Sequence, residues 1–578
     1  NRSWTLNLFS SCVTRISVVK APSNGTFELL ILHNNDMHAR FEQTSQLSGT
    51  CTTEDRDAGK CYGGFPRVAT LVKEARAAAA SGQGPPVLYL NAGDTYTGTA
   101  WFTIYKWKVA AEFLNAIQPD AVSPANDDFD SGTKLSPLLE NLRSTILASN
   151  IVENNYANKQ IIQKSIVKTM GDIKVGIIGY HTPDTEPGNT ADSILYGDEI
   201  LAIKEEVEKL KSQAVKIIIA LGNSERKKDI EIATEVDGID LVIAGHKNLY
   251  LWNGANAESN SEIEDQIIIT QKSGKRVPVI KSYAYNENLG QVALKFDSDG
   301  EIVDYEINKV LLDTSIPQDA GIFQIVDKLR SDIIASSDAV IGNTSVVLDG
   351  ESCGLEECNL GNLIADSIMY YYAVRYQGVR WTDAPIAVIQ GGAIASSIAP
   401  TNRPAGVTTN NLLAAIPSQS NVVTVTMNGT VLLQMLEHSV ADYRLNNPSR
   451  QFLQLSGIRV TYDLAKDRGS RIVNVMARCW DCSIPEFYSI DDWREYKILM
   501  PAALAEGQLG YSMLIVSLLR VSDTELSICD YVWCLYAHFP TTINIIVIGF
   551  SYTYACLIVI FYLIRQYSDS RSQRTRFF

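Results

Sequence analysis

Histidine is scarce in this chain. Of its 578 residues only six are His, at 33, 38, 181, 246, 438 and 538, so imidazole-based metal binding and proton transfer have few carriers. Paired zinc-finger spacing is absent as well. Eight of the ten cysteines fall into close pairs, Cys51/Cys61, Cys353/Cys358, Cys479/Cys482 and Cys529/Cys534. The single CxxC, Cys479 to Cys482, has no second CxxC to match it, which leaves short-range disulfides in an oxidising compartment. Excess positive charge is missing too. A net charge of −15 repels a polyanion and excludes nonspecific nucleic-acid binding. There is no internal repeat and no low-complexity tract, and the strongly apolar run Ile543 to Ile564 carries no charge. With Arg565, Arg571, Arg574 and Arg576 after it against Asp569, this run reads as a single membrane span (543–564) with a basic cytoplasmic tail (565–578). Residue 1 is Asn and no apolar leader core precedes Leu29, so the start reads as truncated or processed.

What remains is globular, with 46% hydrophobic and 20% charged residues. From Phe27 to about Asp313, short apolar runs alternate with amphipathic stretches such as Phe65–Ala79 and Ile200–Ala214, the pattern of an α/β layered domain. Strands are expected at Leu29–Leu32, Val87–Leu90, Lys174–Ile178, Val215–Ala220 and Leu241–Ala244, and a short run at Asp120–Val122. Ligand-type residues follow five of these runs: Asp36 and His38, then Asp94, Asn126 to Asp130, Asn223, and His246. Sites in α/β sheets lie beyond the carboxyl ends of the strands. Period-2 alternation from the first strand is expected to send Asp36 and His38 to the same side. His33, His181 and His438 read as structural histidines. Gln318–Ser337 looks helical, and a second α/β region follows with a helix over Thr430–Arg444. Gly391-Gly392 after a strand is a weak phosphate-loop signal.

Assembled in order, these motifs resemble the ecto-5'-nucleotidase and apyrase family over about residues 27–515. The resemblance is carried by Leu32-His33-Asn34-Asn35-Asp36-Met37-His38, by Asn91 to Phe102 (NAGDTYTGTAWF), by Leu241 to Asn248, and by Glu357 to Ile364 (ECNLGNLI). It implies a four-layer metallophosphoesterase β-sandwich flanked by helices (27–315), a linker helix (316–339) and a second, substrate-binding α/β domain (340–516). The N-terminal segment 1–26 and a stalk at 517–542 fall outside both. It also implies two divalent ions, zinc by family habit, with Asp36, His38, Asp94, Asn126 and His246 as ligands.

The chain departs from the family pattern at several points. Asp127 stands where the family has a catalytic His that works with the carboxylate matched by Asp130, and Asn223 stands where it has a metal-binding His. In the second domain Gly354 and Ala395 replace phosphate-binding arginines, and Gln390 replaces an Asn. Ser418 and Ala503 replace the aromatics that sandwich the base, and Leu509 replaces the ribose-binding carboxylate. The expected protein is therefore a cell-surface, glycosylated and disulfide-bonded family member, catalytically impaired and acting by binding, with an unknown protein partner and a possible homodimeric state. The alternative is an active metal-dependent phosphohydrolase on nucleotides or another small phosphoester.

Overall fold

The computed structural model describes residues 26–46, 49–95, 98–125, 129–130, 134–135, 137–152, 161–182, 195–245, 266–282, 284–337, 340–399, 404–417, 420–444, 449–482, 484–515, 521–528 and 575–577. In the first strand, Phe27–Asn34, both faces are buried and they belong to different cores. Leu29 and Ile31 lie in an inter-sheet core with Leu88, Leu90, Ile217, Ile219 and Leu241. Leu30 and Leu32 face the helical side, with Phe65, Val68 and Phe113. In the Ile217–Asn223 strand, Ile218 and Ala220 turn to a third core with Ile203 and Ile232. A strand covered on both faces needs a near-continuous apolar run. Helix, sheet, sheet and helix thus stack as the four expected layers.

The first sheet has seven strands, in the spatial order Ile162–Gln163, Ile146–Leu147, Ala121–Val122, Val87–Asn91, Phe27–Asn34, Asn288–Phe296 and Ile302–Leu311. The second has six, with Ile173–His181, Ile217–Asn223 and Leu241–Gly245 parallel at its centre. Register brings their carboxyl ends level. Asn34 pairs with Asn91 in one sheet, and Asn223 pairs with both His181 and Gly245 in the other. The expected helices form as Phe65–Ala80 and Glu199–Ser212.

The helix expected between the domains forms as Ala320–Ser337 and lies against the first domain, where Arg330 pairs with Glu42 at 2.8 Å and the Tyr105 hydroxyl donates to the Leu329 carbonyl. The second domain is built on a five-stranded sheet, Leu453–Ser456, Ile386–Gln390, Glu495–Pro501, Asn421–Asn428 and Val521–Ser527 in spatial order. Ala387 and Ile389 face the core of the Asn359–Arg375 helix, whereas Ile386 and Val388 face that of the Gly429–Ser439 helix. The latter helix stops short of Arg444, because the side chain of Arg471 takes the Val440 and Ala441 carbonyls that a further turn would have used. Disulfides join Cys51 to Cys61, Cys353 to Cys358 and Cys479 to Cys482.

Two expectations are corrected at the C-terminal end. Part of the supposed stalk belongs to the second domain: Val521–Ser527 pairs antiparallel with Asn421–Asn428, and Ile528 is buried in the core beside Leu499. Thr575–Phe577 pairs in parallel with Val460–Tyr462, which a tail on the far side of a membrane could not do. The run 543–564 lies outside the described residues, and among those described no helix is long and apolar enough to cross a membrane.

His33 is structural, as expected. It sits fully buried opposite Gly290, where a Cβ would come within 2.2 Å of Nε2, and its two ring nitrogens have no hydrogen-bond partner among the described residues. Burial, reinforced by Lys309, lowers its pKa to about 4. The unfolded imidazole, near 6.5, therefore binds more protons than the folded one between these values, and stability is lost as pH falls from 6.5 towards 4. The loss attributable to His33 is roughly 3 kcal/mol. Denaturant unfolding at pH 7 and pH 4.5 should show a smaller acid loss for His33→Leu than for the parent chain. Equal losses would remove His33 as a cause.

Candidate functional site

Beyond Asn34 and Asn91 the two strands become loops that stay zipped together. Asp36 N donates to Gly93 O (2.9 Å), His38 N to Asp94 O (3.0 Å) and Ala39 N to Thr95 O (2.9 Å). Asp36, His38 and Asp94 all have left-handed backbone, with φ of 48°, 46° and 57°. Each such residue stores of order 1 kcal/mol or more, a strain that clusters at functional sites, and Asp and His are among the side chains found there more often. Strand alternation therefore ends at Asn34, and Asp36 and His38 converge through these turns, contrary to the expected period of two.

The convergence is close. Ligand atoms of Asp36, His38 and Asp94 lie within 4.8 Å of one another, with His38 Nε2 3.9 Å from Asp94 Oδ2. Asp36 and Asp94 are buried, and the His38 ring lies 5.6 Å from that of Tyr285. Two carboxylates and an imidazole so placed suit a divalent cation, which offsets the repulsion between the buried acids. Glycine makes room for them. A Cβ at Gly98 (φ 129°) would meet His38 O at 2.7 Å and His38 Cβ at 2.9 Å.

Across the inter-sheet space, Asn223 continues the alternation of Ile217, Ile219 and Leu221, and its Nδ2 donates to Ala92 O at 2.8 Å. That bond fixes the amide, leaving Oδ1 buried and without a hydrogen-bond partner among the described residues. A Cβ on Gly245 would strike Ala92 O at 2.4 Å, so the residue before His246 must be small. Asn126, Asp127, His246 and Ser418 lie outside the described residues. Asp130 ends the two-residue strand Phe129–Asp130. Lys281 was not foreseen. Its ammonium pairs with Asp229 (2.9 Å) and donates to Gly245 O (2.6 Å) and Ser224 O (3.2 Å), fastening the backbone beside Asn223 and His246. The signal was available, because Lys281 follows the apolar run Val277–Ile280 of its strand just as the ligand-type residues follow theirs.

The second domain meets this site through Arg40, also unforeseen. Its Nη1 donates to His38 O (2.9 Å), its Nη2 to Ala414 O (3.2 Å), and the guanidinium lies 4.1 Å from the centre of the Tyr285 ring. Burial lowers its pKa to about 10, against the opposing pull of Tyr285 and Glu287. Leu413 of the Thr409–Ala415 helix joins the first domain's apolar cluster, and Ala395 N donates to Ala415 O (2.8 Å). Gln390 ends its strand, and Gly354 O accepts from Ser449 N (2.7 Å). Ala503 N donates to Ser420 Oγ (3.3 Å), and Leu509 O, at a residue with φ 58°, accepts from His438 Nε2 (2.9 Å). His438 thus positions a loop, in keeping with a structural role. The Gly391-Gly392 pair is no phosphate loop, because Gly391 N donates to Phe452 O and Gly392 N to Arg450 O.

The "Calcineurin-like phosphoesterase" family profile matches residues 29–249, and the "5'-nucleotidase, C-terminal domain" profile matches residues 340–515. The chain is 34% identical to Protein 5NUC of Lutzomyia longipalpis over 90% of its length and 92% of that protein's. It is 36% identical to the 5'-nucleotidase of Homo sapiens, over 87% of this chain and 88% of the human one. Its fold is that of the 5'-nucleotidase precursor from Thermus thermophilus, with a TM-score of 0.75 at 24% identity, covering 89% of this chain and 97% of that one.

If Gly98 is what admits His38, then Gly98→Ala should weaken cation binding by about 10- to 100-fold, the effect expected when a ligand's support is displaced. Zinc titration with a competing chelator measures this, and unchanged affinity would show that the loop absorbs the methyl group.

Proposed function

Because the chain belongs to the 5'-nucleotidase family, with its metallophosphoesterase and C-terminal domains, we propose that it binds nucleotides outside the cell, holds one divalent cation firmly, and hydrolyses phosphate esters slowly. The observation that carries this reading is Asn223. Its amide is tied to Ala92 O, where the family resemblance calls for an imidazole, and a lone amide oxygen holds a borderline-soft ion such as zinc far less well. Asp36, His38 and Asp94 supply the stronger position, for which zinc is the proposed ion. A divalent cation bound there polarises phosphoryl oxygen and acidifies water. The chain's own residues do the rest: the carboxylates neutralise the ion, Arg40 holds the His38 carbonyl and with it the loop, and Asn223 closes the inter-sheet side. Asp127 adds negative charge where the family resemblance places a proton-carrying His, which disfavours an incoming phosphate. The three disulfides support an oxidising, extracellular setting.

A second reading has its own support. The ligand atoms of Asp36, His38 and Asp94 lie within 4.8 Å of one another, which supports turnover of a small phosphoester that needs no base sandwich at an ordinary rate.

Metal analysis and phosphate release decide between the two. The expected result is one tightly held zinc per chain. Turnover of AMP, ADP or ATP should be at least ~10²-fold below a typical ~10 s⁻¹, with an Asp36→Ala/Asp94→Ala chain as the baseline. Two tightly held ions with turnover near ~10 s⁻¹ would overturn the slow-enzyme reading in favour of the second.

A further inference from the structure

Trp493 is 88% exposed, and its ring has no aromatic or cationic partner among the described residues. Leaving an indole in water forgoes a large apolar burial, and nothing in the proposed chemistry uses it. The turn at residues 491–494 that carries it is well held. Arg494 N donates to Asp491 O (3.2 Å), Trp493 N to Asp491 Oδ1 (2.9 Å) and Asp491 N to the Tyr496 hydroxyl (2.9 Å). The side chain is thus presented from a fixed backbone.

This turn packs against Asn428-Gly429-Thr430. Gly429 N donates to Arg494 O (3.1 Å), and Thr430 donates to Asp492 O through both its N (3.2 Å) and its Oγ1 (3.3 Å). A Cβ on Gly429 would collide with Asp491 O, and Asn428 pairs in register with Glu495. The three residues form an N-glycosylation acceptor, Asn-x-Thr with x other than Pro. Of the chain's other such triplets, those at Asn1 and Asn24 lie outside the described residues, and Asn343 is half-buried in the strand Val340–Thr344. Asn428 is exposed. It caps the Gly429–Ser439 helix, with Oδ1 accepting from Val431 N (3.0 Å), and its Nδ2 donates to nothing among the described residues. Substitution on that nitrogen leaves the carbonyl oxygen in place, so a glycan and the helix cap are compatible.

We propose that Asn428 carries an N-linked glycan whose first sugar packs on Trp493. In the modification Asn428 Nδ2 bonds to the anomeric carbon of a lipid-linked oligosaccharide pyrophosphate. The carbon–oxygen bond to the pyrophosphate breaks, the lipid pyrophosphate departs, and the amide gives up one proton. An N-acetylglucosamine ring has an apolar C–H face, and laying it over an indole takes apolar surface of both out of water. The inference rests on the extracellular setting proposed above, because donor and transferase belong to the secretory route, and it is independent of catalysis.

The test is peptide mass spectrometry of the full chain secreted from insect or mammalian cells behind a supplied leader. The peptide containing Asn428 should carry a glycan in the parent and none in Asn428→Asp or Thr430→Ala. The leader puts the chain into the oxidising compartment whatever its natural address, so an empty Asn428 overturns this proposal and leaves the extracellular reading as it was. Thermal unfolding and acrylamide quenching of tryptophan fluorescence test the packing. Asp caps a helix as Asn does, so Asn428→Asp removes the sugar and keeps the cap. It should melt about 2–4 °C below the parent and quench more readily, whereas trimming the parent's glycan to one N-acetylglucosamine should change neither. In a Trp493→Ala chain the same Asn428→Asp change should shift neither readout. Equal shifts with and without Trp493, or no shift in the parent, overturn the proposal.

Discussion

The three hydrogen bonds that zip the loop after Asn34 to the loop after Asn91 are the constraint on which the candidate metal site depends. They hold Asp36, His38 and Asp94 in a left-handed backbone that each would otherwise leave. The zipper exists only because two parallel strands end in register, Asn34 beside Asn91. Strand pairing in the core therefore sets the ligand geometry, and apolar residues such as Ile31 and Leu90 help to position the carboxylates.

A second tie runs between the sheets. The amide of Asn223 reaches Ala92 O, two residues before Asp94, and Lys281 fastens the backbone just after Asn223, at Ser224 O, and just before His246, at Gly245 O. Arg40 extends the same scaffold to the second domain by donating to His38 O and Ala414 O together. A buried guanidinium bonded to carbonyls in two domains is costly to strand, since opening the contact would leave a charge partly desolvated without its acceptor. Leu413, seated in the first domain's cluster, adds apolar burial to that contact.

Much of the first domain was legible because its signal is local and repetitive. Apolar runs ending in ligand-type residues reveal both the sheets and the edge where a site belongs, and every expected strand from Leu29 to Ala244 forms, within a few residues at its ends. The left-handed turns were not legible, because nothing in Asp36-Met37-His38 breaks a period of two, and the strain is imposed by the neighbouring loop. Arg40 and Lys281 escaped notice for a related reason: their partners are carbonyls, which have no identity in a sequence. The polar strand Val521–Ser527 does not read as part of the second domain in sequence, because an edge strand need not show a buried face. Asn126, Asp127 and His246 were singled out from the sequence alone and lie outside the described residues.

The substitutions proposed for the site have a physical logic. Gly354 and Ala395 sit where main-chain bonds, through Gly354 O and Ala395 N, hold the edge together, so their side chains could shrink without disturbing the fold. Gly98, Gly245 and Gly392 could not change in the same way, because a Cβ at each would collide with His38 O, Ala92 O or the stem of Arg450. Positions that would meet a ligand only through a side chain thus tolerate substitution, while those fixed by close backbone approach do not. The end of the first domain that keeps the ligand atoms of Asp36, His38 and Asp94 within 4.8 Å of one another retains a place for a cation. On the proposed reading, what the substitutions thin is the apparatus for reading the base and for moving a proton.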